Sequence, residues 1–130
     1  MRTLILTTAI LLTVWTALAS AQAPAGGSTA NAVILCNQVA FRIRVPADGM
    51  SVQQRINTVY QRIVAAWAKE RISADRVTLR QAAGTWSIYA GSTLIITVQQ
   101  EDAQANGTST AALAQTWHAR LRELLPQCRP

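Results

Sequence analysis

The stretch that decides the fold is Ser87 to Ser109, which reads SIYAGSTLIITVQQEDAQANGTS. An apolar run that alternates with Thr and Ser is followed by two adjacent acids, Glu101 and Asp102, and then by Asn-Gly. Alternation predicts strands. Acids directly after a strand are favoured in the first turn of a helix, because they complement the positive end of its dipole. We therefore expect Glu101 and Asp102 to begin a short helix rather than to form a catalytic pair, since no neighbouring residue supplies a third group to position a substrate.

The residues on the N-terminal side of this stretch continue the alternating pattern. From Arg76 to Gln99 there are three short runs separated by Gly84 and Gly91, which is the pattern of an antiparallel meander with one covered face. One set of alternate positions in these runs is mainly polar and includes Ile95, and we expect it to face outward. The other set, which we expect to face the core, contains Val77, Leu79, Trp86, Ile88, Ala90, Leu94, Ile96 and Val98.

Two amphipathic helices are predicted on either side of the meander. Ser51 has the capping-box spacing and begins a helix over 51–71, and Thr108 or Ser109 begins a last helix that Pro126 ends. We expect the helices and the meander to share one core, formed by Ile56, Ile63, Trp67, Ile88, Ile96, Leu113, Trp117 and Leu121.

A strand precedes the first helix. The sequence AFRIRV (40–45) alternates, and NAVILC (31–36) either extends this strand or forms a separate short one. The order β-α-β-β-β-α predicts an α+β domain with two layers. We expect a mostly antiparallel four-stranded sheet with two helices on one face.

The N-terminal residues have the parts of a secretory signal: a positive start, an apolar core and small residues in A-x-A spacing. We expect cleavage after Ala21, with Ala19 as the alternative. Residues 1–21 are therefore predicted to be a signal peptide, 22–32 a flexible Gly-rich leader, and 33–130 a single exported α+β domain. No later window is apolar enough for a transmembrane span, so we expect a secreted or periplasmic protein.

The charge of the chain is moderately basic. Without Arg2, eleven basic side chains remain against six acidic ones, a net charge of +5, and ten of the eleven are Arg. Because the excess is spread along the chain, it suits a solvated surface as well as an anion site. We expect no nucleic-acid partner.

Few side chains are suited to catalysis or metal binding. His118 is the only histidine, and the two cysteines, Cys36 and Cys128, are far apart, so the spacing of a zinc site is absent. No phosphate-binding loop or nucleophile elbow occurs. We expect no metal, no cofactor and no enzymatic activity. The alternative is a small hydrolase or transferase that acts on cell-wall material.

The span WSIYAGSTLIITVQQEDAQANGTSTAALAQTWHARLREL resembles the periplasmic segment that precedes the membrane helices in bacterial proteins of the mechanosensitive-channel family, common in cyanobacteria. The matching places are Asp102-Ala103 after the strand, and Leu113, Trp117 and Leu121 in the helix. The upstream helix QQRINTVYQRI is also similar. The resemblance covers 41–125 and implies an exported accessory domain of the same architecture. Channel activity and catalytic residues are not implied, because no apolar spans follow.

We interpret the chain as an exported, non-catalytic domain that binds an envelope protein or an acidic envelope polymer. If the first two strands were neighbours, four outward arginines would lie together beside an aromatic ring and a row of Thr and Ser. Guanidinium groups with hydroxyls suit carboxylate- or phosphate-bearing polymers, and they also suit a merely solvated sheet face. The expected anion-binding face consists of Arg42, Arg44, Arg76, Arg80 and Tyr89.

The first testable prediction is a disulfide between Cys36 and Cys128. An oxidising compartment favours the bridge, and closing a loop of about ninety residues contributes on the order of 4 kcal/mol through the entropy of the unfolded chain. Thiol titration of the denatured, unreduced protein from its native compartment should find no free cysteine. Two titratable thiols would show that the bridge does not form.

Overall fold

The computed structural model describes residues 29–128. The predicted signal peptide and most of the predicted leader lie outside these residues. The secondary structure elements, in chain order, are β1 (Ala32–Leu35), β2 (Gln38–Arg42), α1 (Val52–Lys69), a 3-10 turn (Ala74–Arg76), β3 (Val77–Ala82), β4 (Thr85–Ala90), β5 (Thr93–Val98), α2 (Gln100–Ala105) and α3 (Thr110–Leu124).

The strands form two antiparallel sheets, one of β1 and β2 and one in the order β3-β4-β5. The α+β class and the antiparallel meander are confirmed, whereas the predicted single four-stranded sheet is divided. The reason is local: NAVILC forms its own strand, and the two-residue turn Cys36-Asn37 pairs it with β2. Both turn residues have positive φ, 47° and 58°, as the type I′ turn requires to match the twist of a hairpin.

A β-bulge in β5 changes which residues face the core. Ile88 pairs with Ile96 and Tyr89 with Leu94, so that Ile95 is an extra residue between the two pairs. A bulge breaks the alternation of side chains locally. Ile95 is consequently fully buried, although the alternating pattern predicted that it would lie on the polar face. Leu94 was predicted to face the core and instead lies opposite Tyr89.

The helices begin where their caps predict. Ser51 forms a capping box with Gln54 at the start of α1, and Ser109 accepts a hydrogen bond from Ala112 at the start of α3. The acids after β5 belong to a third, short helix, α2, as expected. Helix α1 packs mainly against β5 and β1, and α3 packs against β3, β4 and β2. None of the helices within 29–128 combines the length and the hydropathy that a bilayer span needs.

Helix side chains also form hydrogen bonds with the backbone at the outer edges of the two sheets. Helix α1 supplies one side chain to β1 and one to β5, and α3 supplies one to β2 and one to β3. Backbone groups at a sheet edge otherwise lack partners. The Tyr60 hydroxyl accepts from the Ile34 N–H (2.7 Å) and donates to its carbonyl (3.3 Å), while Arg62 donates to Ile95 O (3.3 Å), Arg120 to Val39 O (3.2 Å) and His118 Nε2 to Val77 O (2.8 Å).

One hydrophobic core joins both sheets and the helices. Every residue of the predicted core belongs to it, with Trp67 half-buried and the other seven buried. Phe41 of β2 stacks on Trp117 of α3, with ring centroids 4.7 Å apart. The predicted disulfide is formed between Cys36 and Cys128, whose Cα atoms are 5.3 Å apart. It ties the β1–β2 turn to the chain that follows α3.

Replacing Leu121 with Ala should lower the free energy of unfolding by about 2 to 5 kcal/mol, because Leu121 is fully buried and its removal leaves a cavity. Val64 on α1 is 58% exposed, so Val64→Ala is the matched control and should change stability by less than about 0.5 kcal/mol. Urea unfolding measures both. A loss below about 1 kcal/mol for Leu121→Ala would mean that α3 does not seal the core.

Candidate functional site

Two of the predicted site arginines lie together at the end of β2. Arg42 is the last residue of the strand, Ile43 is fully buried, and Arg44 is exposed. Because side chains alternate along an extended chain, Arg42 and Arg44 project to the side opposite Ile43. The sequence predicted this alternation correctly.

These arginines line an open cleft of about 360 Å³ together with Ala30 and Asn31. We call it the arginine cleft. Arg42 Nη1 donates to the Ala30 carbonyl (3.1 Å), and Arg44 Nε donates to Asn106 Oδ1 (3.1 Å). No acidic side chain is among the described residues that line the cleft. Its chemistry is therefore that of guanidinium groups held near backbone, which suits a carboxylate or a phosphate.

The partner of Arg44 belongs to the end of α2. Asn106 is the C-cap of that helix. Its side-chain amide donates to the Asp102 carbonyl (2.7 Å), and its backbone N–H donates to the same oxygen (3.2 Å). The Asn106 side chain is thereby oriented with Oδ1 available to Arg44. The position of α2 thus determines where the Arg44 guanidinium is held.

Helix α2 is itself anchored by a buried ion pair. Arg55 of α1 and Asp102 of α2 are 4% and 1% exposed. Arg55 Nη1 donates to Asp102 Oδ1 (2.8 Å) and Nη2 to Oδ2 (2.6 Å). Arg55 Nη1 also donates to the Val45 carbonyl (2.8 Å), and Asp102 Oδ2 accepts from the Gln99 N–H (3.0 Å). The pair therefore connects α1, α2, the end of β5 and the segment after β2.

The prediction for the two acids was correct about the helix and incomplete about Asp102. Glu101 and Asp102 lie in the first turn, and Asp102 caps it through the Gln99 N–H. The buried partner on α1 was missed. A signal was present in the sequence: Arg55 follows Val52 by three residues and precedes Val59 by four. An arginine on the apolar stripe of a helix requires a buried anion.

A second group of predicted site residues lies on the three-stranded sheet. The Arg80 guanidinium carbon is 4.3 Å from the centre of the Tyr89 ring, a cation–π contact. Ser87 and Thr97 share a hydrogen bond of 3.1 Å on the same face. Thr78 lies opposite Tyr89, and its hydroxyl oxygen is buried without a hydrogen-bond partner within 29–128.

Arg76 precedes β3 and is held by an acid. Its guanidinium donates to Glu70 Oε2 from Nη2 (2.6 Å) and Nε (3.1 Å). The Gly91 N–H donates to the Arg76 carbonyl (2.9 Å). Gly91 has a φ of 60°, a backbone conformation that favours glycine, and a Cβ there would also displace the Glu70 carboxylate. The charge of Arg76 is largely matched by Glu70.

The five residues of the predicted anion-binding face therefore fall into two groups. Arg42 and Arg44 line the cleft, whereas Arg76, Arg80 and Tyr89 lie on or beside β3 and β4. The expected single cluster required β2 and β3 to be neighbours in one sheet. They are not, because β2 pairs with β1.

Two further titratable groups, His118 and Asp75, make structural contacts. His118 uses Nε2 as a donor to the Val77 carbonyl. The Ser73 hydroxyl donates to Asp75 (2.5 Å) and, together with a backbone hydrogen bond and smaller contributions from Arg76 and Arg122, lowers the pKa of Asp75 below its ordinary value. The bond therefore favours the ionised form and weakens as pH falls through that pKa. Within residues 29–128, no group of three His, Cys, Asp or Glu side chains could hold a metal ion.

A smaller cavity of about 80 Å³ lies between α1 and β5. Its polar lining is formed by Asp48, Arg55, Thr58, Arg62 and Thr97, and its apolar lining includes Met50 and Leu94. The volume is far below that of a typical site for a small organic ligand. The arginine cleft is therefore the candidate site.

These features define a disulfide-linked α+β domain with a cationic cleft. Residues 32–127 match the family described as Domain of unknown function (DUF8459). The chain belongs to this family, and the match spans nearly all of the described fold. Searches of curated proteins and of solved structures find no match.

Proposed function

We propose that this chain is an exported, non-catalytic binding domain of the cell envelope, and that it binds an acidic envelope polymer in the arginine cleft. The observation that carries the proposal is the cleft itself, where Arg42 and Arg44 meet with no acidic side chain in the described lining. Elsewhere among the described residues, Arg55, Arg76 and Arg120 form ion pairs with Asp102, Glu70 and Glu123, respectively.

The geometry of Arg44 supports an anionic ligand. Its Nε is used by Asn106 Oδ1, and this bond leaves the two terminal nitrogens of the guanidinium to face an acceptor. Two terminal N–H groups can bind a carboxylate or phosphate in the bidentate manner. Because the side chain is already oriented by α2, part of its conformational entropy is lost before binding, which favours affinity.

An exported location is supported by two features. The chain begins with the parts of a secretory signal, and its disulfide is of the kind that persists in oxidising compartments. The resemblance to the periplasmic segment of mechanosensitive-channel-family proteins supports an accessory domain of the envelope. Channel activity is not part of the proposal.

A non-catalytic role is supported by how the reactive side chains are used. His118 bonds a strand carbonyl through Nε2, and the buried carboxylate of Asp102 is neutralised by Arg55. An acid–base site requires a group whose proton affinity is matched to proton transfer and directed at a substrate. Neither group faces the arginine cleft.

The test is retention of the exported protein on immobilised alginate and on phosphatidylglycerol vesicles, measured as salt is raised. The two supports distinguish a carboxylated polysaccharide from a lipid phosphate. The variant Arg42→Ser/Arg44→Ser should elute at clearly lower salt than the parent protein, because both cleft guanidiniums are lost. Screening should release the parent from its ligand at higher ionic strength.

Two further variants provide matched controls, since each also removes two positive charges. Arg76→Ser/Arg80→Ser changes the sheet surface, and Arg71→Ser/Arg122→Ser changes exposed residues elsewhere. Both should shift elution only slightly. Equal shifts for all three folded variants would show that overall charge, and not the cleft, retains the protein.

A further inference from the structure

The outer edge of β3 is bonded by a helix side chain only at its beginning, where His118 reaches Val77. Two bonds define which backbone groups face outward. The Arg76 carbonyl accepts from Gly91 on the β4 side, whereas the Val77 carbonyl accepts from His118 on the opposite side. Since this orientation alternates along a strand, the N–H and C=O groups of Leu79 and Gln81 also face away from β4. No described residue outside the strand pairs with them.

This part of β3 is accessible. Every residue from Arg80 to Thr85 is exposed, which makes the end of the β3–β4 hairpin the most open section of the three-stranded sheet. Leu79 and Trp86, on the face of the sheet that packs against the core, are half-buried. An incoming strand would therefore find two unpaired backbone positions together with partly exposed apolar side chains.

The charge beside this edge is positive, and the side chain that carries it is held in place. Arg80 is exposed, and its guanidinium is held over the Tyr89 ring. On the same face of β3, the nearest charged residue along the strand direction is Arg76, whose charge is matched by Glu70. A residue directly opposite Arg80 on an added strand would lie within about 5 Å of it at Cβ, so an acid is favoured there and a cation is disfavoured.

We infer that the outer edge of β3, from Leu79 to Ala82, is a docking site for an extended acidic segment of another protein. The segment adds a fourth strand to the sheet through the backbone of Leu79 and Gln81. Its acidic side chains lie beside Arg80, and its alternate apolar side chains lie beside Leu79. Strand addition of this kind takes its affinity from main-chain bonds and its specificity from alternate side chains.

A second copy of this chain is a poorer occupant. Pairing β3 with β3 of another molecule would bring two Arg80 guanidiniums to the same face of one sheet, where like charges oppose each other. The inference is independent of the arginine cleft, which is formed by residues of β2 and the segments beside it.

The probe is a short capped peptide in which glutamate and valine alternate, with a peptide of alternating lysine and valine as its control. Two-dimensional amide NMR of the full exported protein should show shifts at Leu79, Gln81 and Arg80 on addition of the acidic peptide. The amides of Leu79 and Gln81 should also exchange more slowly. Sedimentation of the free protein should give a monomer.

Two variants test the two parts of the site. Gln81→Pro removes an outward N–H, and proline is tolerated on an edge strand, so binding should fall by at least about tenfold. Arg80→Ser keeps the backbone and should weaken binding roughly two- to fivefold. Arg44→Ser should leave peptide binding unchanged and so separates this site from the cleft.

The inference is overturned by any of three results: shifts that map to Arg42 and Arg44, equal binding of the lysine peptide, or a dimer formed through β3. If Gln81→Pro does not fold, Arg80→Glu is the variant that tests the inference. It should abolish binding of the acidic peptide, and unchanged binding would overturn the inference.

Discussion

The buried ion pair between Arg55 and Asp102 is the interaction on which the rest of the structure depends. Removing two charges from water is costly, and the cost is offset only when the geometry is good and the remaining hydrogen bonds are made. Here both carboxylate oxygens bond the guanidinium, one of them also caps α2, and Arg55 reaches the Val45 carbonyl. The pair therefore fixes α1, α2 and the chain after β2 relative to each other. It also acts at a distance, because α2 presents Asn106, and Asn106 orients Arg44 in the cleft.

A second feature of the fold is that helix side chains bond backbone groups at the edges of the sheets. With only two and three strands, the sheets have four outer edges, and one side chain from α1 or α3 bonds each of them. The same helices supply the apolar residues that fill the core. Helix packing and edge protection are thus provided by different positions on the same two helices. On β3 this bond lies at Val77, and the section of the strand beyond it is where we infer that another strand binds.

Much of this fold could be predicted from the sequence, because it depends on local signals. Periodicity and capping residues predicted both long helices, the core and the short helix that begins with Glu101 and Asp102. The division of the sheet was missed because strand partners depend on contacts between distant segments. Ile95 was assigned to the wrong face because a bulge is not visible in alternation alone. The candidate site was only partly predictable: alternation placed Arg42 and Arg44 side by side, whereas their separation from Arg80 follows from the pairing of β2 with β1.

A double-mutant cycle on Arg55 and Asp102 tests this account most directly. Arg55→Met and Asp102→Asn should each lower the free energy of unfolding by about 3 to 5 kcal/mol, because each leaves a buried charge without its partner. The double variant should lose clearly less than the sum, and the NMR signal of the Asn106 side-chain amide should shift in all three variants as α2 is released. Losses that add within about 0.5 kcal/mol, with the Asn106 signal unchanged, would show that the two residues act independently and would contradict the account.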